Sequence, residues 1–173
     1  MVLDGEGFDT GKYLRAVRAA PNEKAFCFLQ DSVEIRDPQF FLRGFGAVAT
    51  RSMVSLYEYP GNSWGLAEGP GSKRFIEAVM GPGDLTYEKG VFGPMFFCTG
   101  DFARDAAATF KREPQTKLDQ EAMESGWPIF AARRGLGPVP SLYGRMPWPL
   151  PADPYQAAQD FNLPLIKHFP RRR

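Results

Sequence analysis

The chain has 173 residues, with 21 Lys and Arg against 20 Asp and Glu, a formal charge of +1, and 15 Phe, 6 Tyr and 3 Trp. One domain is the expectation at this length. So even a charge balance excludes the broad positive field of a non-specific nucleic-acid binder, and the aromatic content excludes disorder throughout.

The start, Met1 to Glu6, is acidic and carries neither the charged and apolar regions of a secretory signal nor the arginines of a transit peptide. An intracellular protein is expected, and an organellar one fits equally. Asp9-Thr10 offers a cap to a helix with Tyr13, Leu14, Val17 and Ala20 at helical spacing, closed by Pro21. From Glu23 to Arg36 the apolar residues Phe26, Phe28, Val33 and Ile35 fit strand and helix equally well.

Asp37 and Pro38 open a long helix predicted over 38–59, with Pro60-Gly61 as its stop. Phe40, Phe41, Leu42, Phe45, Val48, Met53, Val54, Leu56 and Tyr57 make it apolar, and Gly44, Gly46, Ala47 and Ala49 leave its middle small. A helix of about 20 residues is long enough to cross a bilayer. Arg43 and Arg51 oppose that, at roughly 2.5 to 3.5 kcal/mol each near the centre of a span. A buried or partner-facing helix is the stronger reading.

Gly-Pro turns punctuate residues 60–100. Between them Ser72 caps a short helix with Phe75, Ile76, Val79 and Met80, and Val91 to Cys98 reads as an apolar strand. A helix starting at Thr99 or Asp101 carries Phe102, Ala106, Ala107 and Phe110 up to Pro114; another runs from Thr116 to Glu124, and Gly126 ends it.

At Gly126 the composition changes. The last 48 residues hold nine of the 16 prolines, and residues 125–173 carry seven basic and two acidic side chains, whereas residues 1–124 carry 14 and 18. Pro138, Pro140, Pro147, Pro149, Pro151 and Pro154 stand too close together for a helix or a central strand. Large apolar residues in such a chain need a surface to lie on. The predicted organisation is therefore a mainly α core over 1–125, with short irregular or β segments and Gly/Pro-rich loops at 60–100, and an extended Pro-rich C-terminal arm over 126–173.

Catalytic constellations are scarce. His168, the sole histidine, lies in the basic tail beside Lys167 and just before Arg171, so it suits a solvated position better than a general base. Gly5 to Tyr13 resembles a phosphate loop only partly: Glu6 and Tyr13 occupy the places of a glycine and of the magnesium-binding hydroxyl. Cys27 and Cys98 form no Cys-x-x-Cys pair; two buried thiols are favoured over one disulfide. No cofactor, metal site or catalytic residue is expected.

The resulting expectation is a non-catalytic structural or accessory subunit of a large multi-protein assembly, such as a mitochondrial membrane complex, held through its arm. Trp127, Phe130, Tyr143, Trp148, Tyr155, Phe161 and Phe169 would be the aromatic anchors. Arg133, Arg134, Arg145, Arg171, Arg172 and Arg173 would meet acidic surfaces of other subunits, with peripheral lipid contact through 38–59 and no nucleic acid. The alternatives are a small soluble enzyme with a carboxylate cleft, for which Asp84, Glu88 and Asp101 are candidates, and a weakly basic nucleic-acid-binding module.

Overall fold

A computed structural model describes residues 8–30, 32–60, 70–145 and 164–167. In chain order its elements are α1 (Asp9–Ala19), β1 (Ala25–Phe28), β2 (Val33–Ile35), α2 (Phe40–Val48), β3 (Met53–Ser55), β4 (Glu58–Pro60), α3 (Pro70–Met80), β5 (Lys89–Val91), β6 (Phe96–Thr99), α4 (Gly100–Thr109), α5 (Lys117–Arg133) and β7 (Leu165–Lys167).

The most apolar strand, β6, lies in the middle of a three-stranded sheet in the order β1-β6-β3. Both neighbours are antiparallel to it, with Phe26 opposite Cys98, Cys27 opposite Phe97, and Val54 opposite Phe97. Side chains alternate across a strand. Phe28, Met53, Phe96 and Cys98 therefore face a core shared with Leu14 and Val17 of α1, Ile76 and Val79 of α3, Ala106 of α4, and Met123, Trp127 and Phe130 of α5. Val54 and Phe97 face the other way, into a second core with Phe40 and Val48 of α2, Leu56, Tyr57, Met95 and Leu165. Helices thus cover both faces of a short antiparallel sheet, and the fold is mixed α and β, not mainly helical.

The helix predicted over 38–59 is the main correction. It ends at Val48; a turn held by the Thr50 and Arg51 amides on Ala47 and Val48 follows, and Met53–Ser55 and Glu58–Pro60 are strands. A strand buried on both faces reads as an unbroken apolar run, which periodicity alone cannot tell from a buried helix. The single strand predicted for 91–98 is likewise two, β5 and β6, parted by a turn at Gly93, whose φ of 58° suits glycine.

Helix α5 does not stop at Gly126. It continues through Pro128 to Arg133, and Gly126, Trp127, Pro128, Ile129, Phe130 and Ala131 are all buried. Burial on this scale overrides the low helix propensity of Gly and Pro. At its start, the Thr116 hydroxyl accepts from the Asp119 amide while the Asp119 carboxylate accepts from the Thr116 amide.

The chain from Val139 to Arg145 also lies on the body. Ser55 donates its amide to Pro140, Leu142 to Ser55, Tyr143 to Leu56 and Glu58 to Gly144, so this stretch runs parallel to residues 55–58. Further on, β7 pairs antiparallel with β2, Ile166 opposite Glu34, and Leu165 and Ile166 are buried. Of the expected arm, residues 126–145 and 164–167 thus belong to the body; the remainder lies outside the described residues.

Candidate interaction surface

Helix α2 begins where the Asp37 carboxylate accepts the Gln39 amide at 2.8 Å. Its inward residues, Phe40 and Val48, are buried at opposite ends, so the helix lies flat against the sheet. Gly44 makes that approach possible, because a side chain there would overlap the Phe97 ring. Phe45 meets the edge of the same ring, with centroids 5.1 Å apart.

The outer face of α2 is as apolar as the inner one. Phe41 is 51% exposed, Leu42 75% and Phe45 40%, Gly46 and Ala49 are exposed beside them, and the Phe41 and Phe45 rings stack. Arg43 is the helix's one charged residue. A helix on a protein surface ordinarily turns a polar face to water, and one apolar all round is ordinarily covered. Arg36 before the helix and Arg51 after it are exposed. Arg43 reaches Asp37 at 3.5 Å and Gln39 at 3.4 Å, and Asp37 also accepts the Tyr143 hydroxyl at 3.0 Å.

The expected anchors divide into three groups. Trp127 and Phe130, each 1% exposed, form the core; their rings pack on Phe96, Phe102 and Phe110, so neither presents a surface to a partner. Tyr143 is half-buried against Phe40 and Tyr57, where burial and its bond to Asp37 push its hydroxyl pKa up. Trp148, Tyr155, Phe161, Phe169, Arg171, Arg172 and Arg173 lie outside the described residues.

Arg133 and Arg134 are tied down within the chain. Arg133 donates to the carbonyls of Met80, Gly81 and Asp84, closing the end of α3. Arg134 pairs with Asp105, bonds Thr109 and lies over the Phe130 ring at 4.7 Å. Arg145 is exposed beside Glu58.

A cleft of about 250 Å³ opens between Asp84, Tyr87, Glu88, Lys89, Pro128, Ala132 and Val139. It brings together two of the three carboxylates considered for an enzyme; Asp101 is elsewhere, on α4, paired with Arg104 at 2.6 Å. The chemistry of the cleft is quiet. Bonds from the Thr86 hydroxyl and amide hold the Asp84 carboxyl below its usual range, the opposite of what a general acid at neutral pH needs. Lys89 is engaged by Glu58 at 2.9 Å, and the Tyr87 hydroxyl bonds Ser125 at 2.8 Å.

The thiols are equally inert. Cys27 and Cys98 are free, and the register sends them to opposite faces of the sheet. Burial pushes the Cys27 thiol up to about 12 and Cys98 well above its ordinary value, so neither supplies thiolate near neutral pH. Among the described residues no three His, Cys, Asp or Glu side chains gather as metal ligands, and no helix is long and apolar enough to cross a membrane.

Compared with protein-family models, curated proteins and solved structures, the chain matches none. The strongest functional feature is therefore the outer face of α2. Its sequence signal is a nine-residue helix with a single charge, recognisable only once the helix is known to end at Val48.

Proposed function

We propose that this protein is a non-catalytic structural or accessory subunit of a large multi-protein assembly, of which an organellar (mitochondrial) membrane complex is one example. The observation that carries the reading is the apolar outer face of α2, where Phe41, Leu42 and Phe45 stand exposed on a helix fixed to the core. Such a face lowers solubility unless something covers it. The Pro-rich, aromatic residues between Arg145 and Pro164, together with Phe169 and Arg171 to Arg173, supply the composition of a segment that grips neighbouring subunits. The raised thiols of Cys27 and Cys98 and the lowered Asp84 carboxyl weigh against thiolate or general-acid chemistry at these three groups.

A native gel of extract from the source cells, probed for the tagged full chain, tests this. Migration in one defined high-mass complex, lost when Trp148, Tyr155 and Phe161 are replaced by Ala, is the expected result. Migration of the intact chain as a monomer overturns it. The cleft at Asp84 supports one other reading, a small-molecule site, and a thermal shift with a metabolite panel that is abolished by Tyr87→Ala would favour it.

A further inference from the structure

We propose that α2 seats on an anionic lipid surface, with Phe41, Leu42 and Phe45 entering the boundary between headgroups and acyl chains and Arg36 and Arg51 meeting the lipid phosphates. This rests on the reading above, that the outer face of α2 is a contact surface, and it names what covers that face.

Orientation comes first. Because Phe40 and Val48 are both buried, the helix axis lies along the body and does not project from it. The opposite face is therefore presented lengthwise, over about 13 Å at 1.5 Å per residue. An interfacial helix lies in just this way, parallel to the membrane with its apolar side sunk about 5 to 10 Å. Two phenyl rings and a leucine are side chains of the kind that such a face inserts, and Leu42, 75% exposed, is the least covered large apolar residue of the three.

Charge selects the occupant. Arg36 lies four residues before α2 and Arg51 three residues after it, and both are exposed. Guanidinium groups match phosphate oxygens in pairs, and long basic side chains keep their charge at the headgroup level while their stems lie along apolar surface. Arg43 is held by Asp37 and Gln39, and Asp37, its side chain 10% exposed, also accepts the Gln39 amide and the Tyr143 hydroxyl, so the charge offered to phosphate is that of Arg36 and Arg51. Asp31 and Glu34 are the other acids close in sequence, and Glu34, on β2, is exposed. A second copy of this chain is a poorer cover, since a two-fold pairing of the same face brings one basic rim against another.

The test is co-sedimentation of the full chain with vesicles of phosphatidylcholine alone and of phosphatidylcholine with about 30 mol% phosphatidylserine. Binding to the anionic vesicles is expected to exceed binding to the neutral ones by at least about tenfold and to weaken with salt. Leu42→Glu and the pair Arg36→Glu, Arg51→Glu should each reduce it about tenfold or more. All three positions are exposed, so their melting curves should match that of the unaltered chain. Absence of binding to anionic vesicles, or binding indifferent to Leu42→Glu, overturns the proposal.

The two readings fail separately. If vesicles are ignored but Leu42→Glu releases the chain from its native complex, α2 packs on a protein and the lipid contact is refuted while the subunit role stands. If Leu42→Glu converts a dimer of the purified chain into a monomer without vesicle binding, a second copy is the cover. Vesicle binding by a chain that runs as a monomer in source extract retains the lipid surface and discards the assembly.

Discussion

Gly44 and Gly46 sit two positions apart in α2 and face opposite worlds. At Gly44 a methyl group would collide with the Phe97 ring, itself fully buried between the sheet and the helix; at Gly46 nothing lies within 4 Å. Gly44→Ala is therefore expected to destabilise the protein by about 1 to 3 kcal/mol, the cost of overpacking a filled core. Gly46→Ala should raise stability by roughly 0.5 to 1 kcal/mol, because alanine loses less backbone entropy in a helix. Urea unfolding of both variants reads the difference as midpoints moving in opposite directions; a shared direction would mean that α2 does not rest on Phe97. The sequence shows both glycines as equivalent loose points in an apolar stretch, since the contact that separates them comes from a strand about fifty residues downstream. Trp127 and Phe130 were misplaced for a related reason. Their neighbours Gly126 and Pro128 carry strong local stop signals, whereas the burial that overrules those signals comes from Phe96, Phe102 and Phe110.

At the scale of elements, the helices with local punctuation were legible. Pro21 after α1, the Thr99 hydroxyl accepting the Phe102 amide ahead of α4, and the box of Thr116 and Asp119 ahead of α5 are all written within a few residues of the ends they set. The strands were legible only in part: Val91 to Cys98 holds most of β6, but the others, three or four residues long, take their state from distant partners. The pair β4 and β5 shows how such pieces are fixed. Glu58 on β4 receives Lys89 of β5 at 2.9 Å and the Ser141 hydroxyl at 2.8 Å, so one carboxylate joins three separate stretches of chain. Burial works to raise the Glu58 pKa, but the bonds from Lys89 and Ser141 and the charges of Lys89 and Arg145 prevail and hold it below its usual value. A carboxyl lowered by folding stabilises the folded state above its unfolded pKa, about 4.3, and that contribution is lost as pH falls through the folded value. Melting temperatures of the unaltered chain and of Glu58→Gln should accordingly differ most near pH 6, in favour of Glu, and converge toward about pH 3. A gap that stays constant over that window would show that Glu58 titrates alike in both states.

For the whole molecule, the division of the chain at Gly126 makes a sharp prediction. An arm that merely gripped other proteins could be removed without harm to the core. The structure instead runs α5 through that point and buries Trp127, Ile129 and Phe130 among residues of α4, β6 and α3. Truncating one such aromatic to alanine costs about 3 to 5 kcal/mol, against a total stability of about 5 to 15 kcal/mol for an ordinary domain. Loss of all three together, about 8 to 15 kcal/mol with Ile129 at about 2 to 5, is comparable to that whole margin. Ending the chain at Ser125 also removes Pro140, Leu142, Tyr143 and Gly144, and leaves backbone groups of Ser55, Leu56 and Glu58 without their partners. A chain of residues 1–125 is therefore expected to show no cooperative thermal transition by circular dichroism. A chain of residues 1–145 keeps both cores except Leu165; among the described residues it loses the pairing of β2 with β7, buried Ile166 and the bonds of the Arg36 and Asp37 amides to Pro164, and it should melt cooperatively at a reduced temperature. Cooperative melting of the shorter chain would restore the boundary at Gly126; failure of the longer one would make β7 as indispensable to the body as α5.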